Sequence, residues 1–361
     1  HALTIAYPVT TRILFKYIII FDLFLMGENM TKQTLLFKKI LLGITIILSY
    51  FFVTASVQAE DYPERPISVV VAYNPGGATD FQARLVTMMA AHPKKDYLGQ
   101  PIVIINKPGA GGKVGWNWFA SKARTDGYDL AAYNVPHFIS QSIVFDDTEY
   151  NIDNLEPIAN WGADPAVLIV GKDSDFNSLE DLMAFAKSNP GAVTFSGAGK
   201  FVGHHIAFLQ FEKASGLDLT YVPHTGGVPA LTAVKGGQVM AGFNNLSDAY
   251  RSQSEIKILA IADLQREETF LPDVPTFREK GVDVDNSSVN FRGIMARKGT
   301  SDEIIQFLAE KVPLMFNDKK TLGQMKKGGS PVRIMTRDEV KAMWAERQVA
   351  LTELLAGLSA E

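Results

Sequence analysis

Short apolar runs alternate with amphipathic stretches along the chain, and this order of segments limits the fold more than any other feature. The apolar runs are rich in β-branched residues and cover 67–73, 102–105, 166–170, 219–222 and 257–262. Stretches of helical length cover 80–91, 179–188, 204–214 and 227–235. This alternation predicts an α/β fold with helices flanking mostly parallel sheets. The 361 residues suffice for two such domains. Because no low-complexity linker separates them, we expect the chain to cross between them more than once.

Several predicted helix starts carry capping chemistry. In a capping box, a Ser or Thr side chain and a Glu or Gln three residues later each bond the other residue's backbone N–H group. The chain has three such pairs: Thr79 with Gln82, Thr300 with Glu303, and Thr336 with Glu339. Ser178 with Asp181 is a looser version. The last capping box predicts the start of a long helix over 337–358.

Residues 30–59 have the three parts of a secretory signal peptide. A short basic segment follows Met30, an uncharged apolar run covers 40–53, and small residues at 54–59 fit cleavage after Ala59. Because a membrane-spanning helix needs about 20 apolar residues, we expect an exported periplasmic protein rather than an anchored one. Residues 1–29 precede this complete signal peptide. We interpret them as a non-native upstream extension.

The composition excludes several classes of site and partner. The chain contains no cysteine, which rules out disulfides, iron–sulfur clusters, thiolate metal sites and cysteine nucleophiles. The net charge is −4 and the basic residues form no cluster. Nucleic acid is therefore not an expected partner.

Four glycine-rich corners follow strand-like segments. The corners cover 74–80, 107–115, 196–203 and 224–230. Such a corner can present backbone N–H groups at a helix N-terminus, where they stabilise an anion. Neither nucleotide motif is present. The hydroxyl residue of a phosphate loop is replaced by Val114, and the third glycine of a dinucleotide fingerprint falls one position late, at Gly203.

No catalytic set can be assembled from the sequence. The histidine pair His204–His205 lacks the four-residue spacing that metal ligation from one helix needs, and no Gly-x-Ser-x-Gly elbow occurs. Asp80 could act as a general base, but an acid in the first helical turn is better explained by the helix dipole. We therefore expect no catalysis, no metal and no cofactor. Non-covalent capture of a small organic anion between two domains is the interpretation that remains.

Motifs along the chain resemble one family of receptors. The segments YPERPISVVVAYNPGGATD (62–80), LGQPIVIINKPGAGG (98–112), VPHTGGVPALTAVKGGQV (222–239) and LPDVPTF (271–277) occur in that order. They resemble the substrate-binding proteins of tripartite tricarboxylate transporters, also called the Bug family. The resemblance covers about 62–359.

The resemblance implies a two-lobed periplasmic binding protein of the Venus-flytrap type, with a ligand cleft between the lobes. Lobe 1 would comprise 60–162 and 287–361, and lobe 2 would comprise 163–286. The chain would cross between the lobes near 160–165 and 284–290. The resemblance also implies a monomer that captures a carboxylate and delivers it to a permease of one large and one small membrane subunit.

The resemblance also implies which residues bind the ligand. On lobe 1 they are Tyr73, Gly76, Gly77, Ala78, Thr79, Asp80, Asn134 and His137. On lobe 2 they are Gly197, Ala198, Gly199, His204, Thr225, Gly226 and Asn244. Gly227 and Asn245 adjoin the last of these. The glycine loops would contribute backbone N–H groups.

The chain departs from the family pattern in the second lobe, where Lys200, Val202 and His204 replace residues that are more often small or polar. Asn244 stands where the family often has an aspartate that could pair with a ligand amine. These departures favour a carboxylate without an amino group. Two alternatives stay open: a sensor with a membrane signalling partner, and an exported hydrolase or isomerase that uses Asp80 or His137.

Overall fold

The structure is a computed structural model that describes residues 62–356. The predicted signal peptide at 30–59 and the upstream extension at 1–29 lie outside the described residues. In the described range, every helix is too short or too polar to cross a bilayer.

Six strands form the first sheet, in the order β11-β4-β10-β3-β1-β2. They are β1 (Ile67–Val71), β2 (Ile102–Asn106), β3 (Asp129–Val135), β4 (Leu155–Asp164), β10 (Asn290–Arg297) and β11 (Val332–Met335). The β-branched run of β1 is buried on both faces, as expected for a strand with parallel neighbours on both sides. It pairs in parallel with β2 and β3, with Ile67 opposite Ile102.

Five strands form the second sheet, in the order β7-β6-β8-β5-β9. They are β5 (Ala166–Gly171), β6 (Thr194–Gly197), β7 (Thr220–Pro223), β8 (Ala241–Asn245) and β9 (Ile256–Ala262). Residue Pro165 alone separates β4 of the first sheet from β5 of the second. The chain returns to the first sheet between β9 and β10.

Helices cover both sheets. They are α1 (Ala78–Thr87), α2 (Lys113–Lys122), α3 (His137–Val144), α4 (Leu179–Ser188), α5 (Gly203–Ser215), α6 (Gly227–Lys235), α7 (Leu246–Arg251), α8 (Asp302–Phe316), α9 (Lys319–Lys327) and α10 (Arg337–Leu354). Each sheet has its own apolar cluster: Trp116, Phe138 and Trp344 pack at the first sheet, and Phe195 and Phe243 pack at the second. The two-lobed α/β fold is confirmed.

Both sheets are mixed rather than mostly parallel. The pairs of β10 with β3 and with β4 are antiparallel, and so are those of β5 with β8 and with β9. Parallel neighbours need a crossover connection, usually a helix. The strands β4 and β5 are joined directly and enter different sheets, so no crossover imposes a parallel direction on them.

Two of the predicted helix starts are confirmed and two are wrong. Thr336 forms its capping box with Glu339, and the Ser178 side chain accepts a hydrogen bond from Asp181 N. The N-cap of α8 is Ser301 and not Thr300, because the Ser301 side chain accepts from Ile304 N. The N-cap of α1 is Gly77, and Thr79 lies inside the first turn. The Thr79 hydroxyl group instead accepts hydrogen bonds from Asn134 of β3 and Arg292 of β10.

Candidate functional site

The first glycine corner joins β1 to α1 and turns at Gly76, whose φ of +83° favours glycine. The N-cap residue Gly77 has extended backbone and offers no side-chain cap. The first N–H group of the helix, on Ala78, therefore faces outward from lobe 1. It donates to Asp248 Oδ2 at 3.3 Å, and Asp248 belongs to α7 beside the second sheet. The corner thus contacts the opposite lobe directly.

Asp80 points away from this contact. Its carboxylate accepts hydrogen bonds from Gly76 N at 2.9 Å, Arg84 Nη2 at 2.9 Å and Asn106 Nδ2 at 2.9 Å. Burial acts to raise the pKa of Asp80, but the hydrogen bonds from these donors outweigh it and lower that pKa. The carboxylate is therefore ionised and fully engaged in holding the corner, which is the first-turn role that the sequence favoured.

The loop before α5 and the first turn of that helix form the facing wall. Ala198 N donates to His204 Nδ1 at 3.2 Å, so the proton of the neutral imidazole lies on Nε2. That atom is buried and makes no hydrogen bond of regular geometry within the described residues, although the Asn245 side chain lies close enough to favour the protonated ring. Burial lowers the pKa of His204 to about 4, so the ring is neutral at pH 7.

A third wall comes from the end of β3 and the start of α3. Asn290 Nδ2 lies 3.5 Å from His137 Nε2, a long contact in which Nε2 accepts when the imidazole proton is on Nδ1. Asn134 Nδ2 donates to Thr79 Oγ1 at 2.9 Å. His137 Nδ1 and Asn134 Oδ1 are both buried and unpartnered within the described range. Burial lowers the pKa of His137 well below its usual value. We call Asn134, His137 and His204 the cleft face.

Beneath the cleft, Arg292 of β10 is the centre of a buried hydrogen-bond network. Its guanidinium group is 1% exposed and pairs with Asp164 at 2.7 Å. It also donates to Thr79 Oγ1 at 3.2 Å and to Asn245 Oδ1 at 2.8 Å. We call the whole group the floor network: Thr79, Gln82, Asp164, Asn245, Ser247 and Arg292. It joins β4 and β10 of the first sheet to β8 and α7 of the second.

The lobes approach each other closely at a pair of glycines. A Cβ atom added at Gly199 would lie 2.9 Å from Gly111 Cα. Tyr73 OH donates to Gly111 O at 2.8 Å on the lobe 1 side of this contact. Small residues are therefore needed where the two glycine corners meet.

Together these walls enclose a narrow cleft with a cavity volume of about 20 Å³, so the two lobes are closely apposed in this structure. Eight residues that the sequence nominated line it: Tyr73, Gly77, Ala78, Thr79, Asn134, His137, Ala198 and His204. In addition, Gly227 and Asn245, which the sequence placed beside them, line the cleft.

Seven nominated residues do not line the cleft: Gly76, Asp80, Gly197, Gly199, Thr225, Gly226 and Asn244. Local packing accounts for several of them. Asn244 is turned inward, because its Nδ2 atom donates to Gly227 O at 3.1 Å and its Oδ1 atom accepts from Asn245 N at 2.8 Å. Gly197 faces the Tyr221 ring. Gly199 packs against Gly111 at the contact between the lobes.

Sequence reasoning did not nominate Asn74, Val228, Asp248 and Asn290, which also line the cleft, or Arg292 beneath it. Asn74 and Val228 lie within the glycine corners at 74–80 and 224–230, so the corner motif was a usable signal for both residues. Asp248 and Asn290 have no local motif. Within residues 62–356, no group of three histidine or acidic side chains is placed to hold a metal ion.

Comparisons with known proteins agree with this architecture. The family model described as "Tripartite tricarboxylate transporter family receptor" matches residues 86–343. Protein BugT of Bordetella pertussis is 30% identical over 312 residues, which cover 85% of this chain and 94% of BugT.

Two solved structures have a similar fold. The periplasmic binding protein BugD superposes with a TM-score of 0.75 at 27% identity, covering 81% of this chain and 97% of BugD. MatC from Rhodopseudomonas palustris, solved with bound malate, superposes with a TM-score of 0.73 at 26% identity, covering 81% of this chain and all of MatC.

Proposed function

This chain belongs to the tripartite tricarboxylate transporter family of receptors, and we propose that its cleft captures one small carboxylate between the lobes. The family consists of periplasmic solute-binding receptors for a transporter and not of enzymes. The chain is therefore a solute-binding receptor, and the hydrolase or isomerase alternative is wrong. What we propose is that the solute it binds is a small carboxylate.

One observation carries the proposal: the cleft face has buried polar atoms without a hydrogen-bond partner in residues 62–356. In the neutral tautomers, His137 Nδ1 and His204 Nε2 carry the ring proton. Each is therefore a buried donor without a hydrogen bond to an acceptor among the described residues. A buried donor without an acceptor costs about 1–3 kcal/mol. A carboxylate that accepts from both rings recovers this cost and gains neutral donors that offset its own desolvation. MatC, a similar receptor, was solved with malate bound.

Capture requires that the ligand contact both lobes. The ligand would accept hydrogen bonds from the first turn of α1 on one side and from His204 on the other. Because it binds the apposed lobes better than separated ones, it shifts the protein towards closure. The hinge would be the two chain crossings, at Pro165 and in the segment before β10. The rigid lobes would be 60–162 with 287–361, and 163–286.

The finer features of transport belong to the same proposal. The receptor would be exported by its signal peptide with cleavage after Ala59 and act as a monomer in the periplasm. It would dock in its closed form on a permease of one large and one small membrane subunit.

A thermal-shift screen tests the proposed function. The protein beginning at Glu60 is melted with mono-, di- and tricarboxylates and with neutral and cationic compounds as controls. A ligand at one hundred times its Kd raises the free energy of unfolding by about 2.7 kcal/mol, which is a readily measured rise in Tm. Shifts only with neutral or cationic compounds would refute the proposal.

A further inference from the structure

One helix on the surface of lobe 1 carries a concentrated positive charge. Helix α9 has the sequence KKTLGQMKK, with four lysines and no acid in nine residues. The chain as a whole has a net charge of −4. The expectation that its basic residues form no cluster is therefore wrong at this helix.

The helical repeat places the four lysines on one face. They form two pairs with a spacing of seven residues, which is two turns, or about 10 Å along the helix axis. The opposite face is buried through Thr321 and Met325, and Met325 belongs to the apolar cluster of the first sheet. All four lysines are exposed, and none forms an ion pair with another described residue. We call this set the lysine face: Lys319, Lys320, Lys326 and Lys327.

Helix stability does not account for the two lysines in the first turn. The N-terminus is the positive end of the helix macrodipole, so a cation is unfavourable there. Lys319 and Lys320 occupy this turn, and no acid accompanies them in it. The N-cap residue Asp318 is 7% exposed, and its carboxylate also accepts from Tyr97 OH at 2.8 Å and pairs with Lys95 at 3.5 Å. The lysine face therefore carries charges that the fold does not need.

A glycine lies at the centre of the lysine face. Gly323 stands midway along the helix between the two pairs of lysines. Nothing lies within 4 Å of a Cβ atom built there, so packing does not require a glycine, and alanine would favour the helix more. Because Gly323 has no side chain, a phosphate group can approach the helix between the ammonium groups.

The composition of the lysine face fits a lipid surface better than a protein surface. Protein interfaces are depleted of lysine and have an apolar or aromatic centre. None of the large apolar side chains that are exposed in the described chain belongs to α9. Lysine is a compact point charge and lacks the planar fork with which arginine recognises a single carboxylate or phosphate. Such charges suit a surface of many phosphate groups, where each basic residue strengthens binding about fivefold.

We propose that the lysine face binds the anionic phospholipid surface of a membrane and so concentrates the receptor beside its transporter. The net negative charge of the chain does not prevent this contact. The Debye length is about 8 Å at physiological ionic strength, whereas a globular unit of about 300 residues has a radius of gyration of about 19 Å. Acids on the far side of the protein are therefore screened from a membrane that meets the lysine face. This proposal does not depend on the cleft or on its ligand.

Co-sedimentation with lipid vesicles tests the proposal on the protein that begins at Glu60. The vesicles consist of phosphatidylcholine alone or of an equimolar mixture of phosphatidylcholine and phosphatidylglycerol. The protein should bind the mixed vesicles at an ionic strength of about 0.1 M. It should be released at about 1 M, where the Debye length falls to about 3 Å. It should not bind the neutral vesicles under either condition.

Two variants with the same change of net charge isolate the lysine face. In the first, all four of its lysines become glutamine. Binding to the mixed vesicles should fall by more than about a hundredfold, while the Tm stays the same or rises because cations leave the helix N-terminus. In the second, four exposed lysines on other elements become glutamine, and binding should be retained. These control substitutions are Lys122→Gln, Lys172→Gln, Lys187→Gln and Lys213→Gln.

A third variant separates charge from folding. Arginine at all four positions of the lysine face keeps the charge and should keep the binding to the mixed vesicles.

Several results would overturn the proposal. They are equal binding to neutral and mixed vesicles, binding that persists at high ionic strength, binding that survives the glutamine substitutions in the lysine face, and an equal loss in the control variant. Binding to soluble polyglutamate but not to the mixed vesicles would overturn it as well, because the lysine face would then be a site for an acidic protein. None of these results bears on the capture of a carboxylate in the cleft.

Discussion

The floor network and the cleft face are neighbouring groups of buried polar residues, and they differ in how fully their hydrogen bonds are made. Every nitrogen of the Arg292 guanidinium group has an acceptor in the floor network. Each residue of the cleft face has one buried atom without a partner in the described part of the chain. Buried polar groups are normally paired, so the unpaired ones need an explanation. The floor network has the features of a structural element, and the cleft face has those of a binding surface.

This contrast separates two measurable quantities. Substitutions in the floor network should lower the free energy of unfolding, because they leave buried groups uncompensated. Substitutions in the cleft face should weaken ligand binding more than they lower stability, since each removes one buried atom that has no partner among the described residues. A cleft-face substitution that strongly lowered stability, or a floor-network substitution that changed only ligand binding, would show that the two groups act as one.

The largest effect is expected from Arg292→Met. Removing one partner of a buried ion pair leaves Asp164 as an unpaired charge, which costs about 3–5 kcal/mol. Denaturant unfolding measures the loss. The double variant Arg292→Met/Asp164→Leu should recover much of it, because no charge is then left unpaired. Arg333→Met, at an exposed arginine, is the control and should change stability by less than about 0.5 kcal/mol. A loss below about 1 kcal/mol in Arg292→Met would contradict the structural role of the floor network.

The next prediction concerns the contact between the lobes. It tests whether the two lobes must touch before the cleft face can bind its ligand. Gly199 has a φ of +130°, and a Cβ atom there would lie 2.9 Å from Gly111 Cα of the other lobe. Gly199→Ala should therefore hold the lobes apart and raise the Kd of the best acid from the screen about tenfold, ~1.4 kcal/mol.

A matched control isolates the contact from backbone strain. Gly216 also has a positive φ, +65°, but nothing lies within 4 Å of a Cβ atom built there. Gly216→Ala should cost about 1–2 kcal/mol of stability through strain and leave the Kd unchanged. Equal effects of the two variants on the Kd would mean that the glycine contact has no part in closure.

His137→Phe tests the cleft face itself. The phenyl ring can keep the edge-on packing against Tyr73, in which the ring centroids lie 5.9 Å apart. The variant loses an N–H group that has no acceptor among the described residues, and the Asn290 amide that lies near Nε2 keeps its hydrogen bond to Asn245. Stability should be unchanged or slightly higher, while the Kd rises about tenfold through loss of one buried hydrogen bond to the ligand. Calorimetry and thermal melting give both values. An unchanged Kd together with a lower Tm would reverse the assignment.

The two groups also differ in how far sequence reasoning could reach. Most of the lobe 1 side of the cleft lies in or near one local motif, residues 73–80, and local glycine and helix-start signals were enough to nominate it. The floor network has no such motif. The hydrogen bond from Arg292 to Thr79 joins residues 213 positions apart, and only the fold brings them together.

The same limit explains the errors at Thr79 and Asp248. The spacing of Thr79 and Gln82 fits a capping box, but both side chains are used by Arg292 instead, and Gly77 becomes the N-cap. Nothing in the local pattern reveals that competition. Asp248 stands four positions after Asn244. It enters the cleft because α7 begins directly at the end of β8, which a motif centred on Asn244 does not predict.

The last prediction concerns the pH dependence that the buried histidines cause. Burial lowers the pKa of His204 to about 4 and that of His137 well below its usual value, whereas an unfolded histidine has a pKa of about 6.5. The unfolded chain therefore binds more protons between these values, so stability is complete above about pH 6.5 and falls as the pH decreases towards 4. Each such histidine contributes a slope of at most about 1.4 kcal/mol per pH unit. The free energy of unfolding should decrease from pH 7 to 6 to 5 in both the unmodified protein and His137→Phe. Its slope with pH should be shallower in the variant. Because Phe does not titrate, parallel slopes would mean that His137 is not held neutral in the folded protein, and the cleft face would then carry a charge rather than a neutral donor.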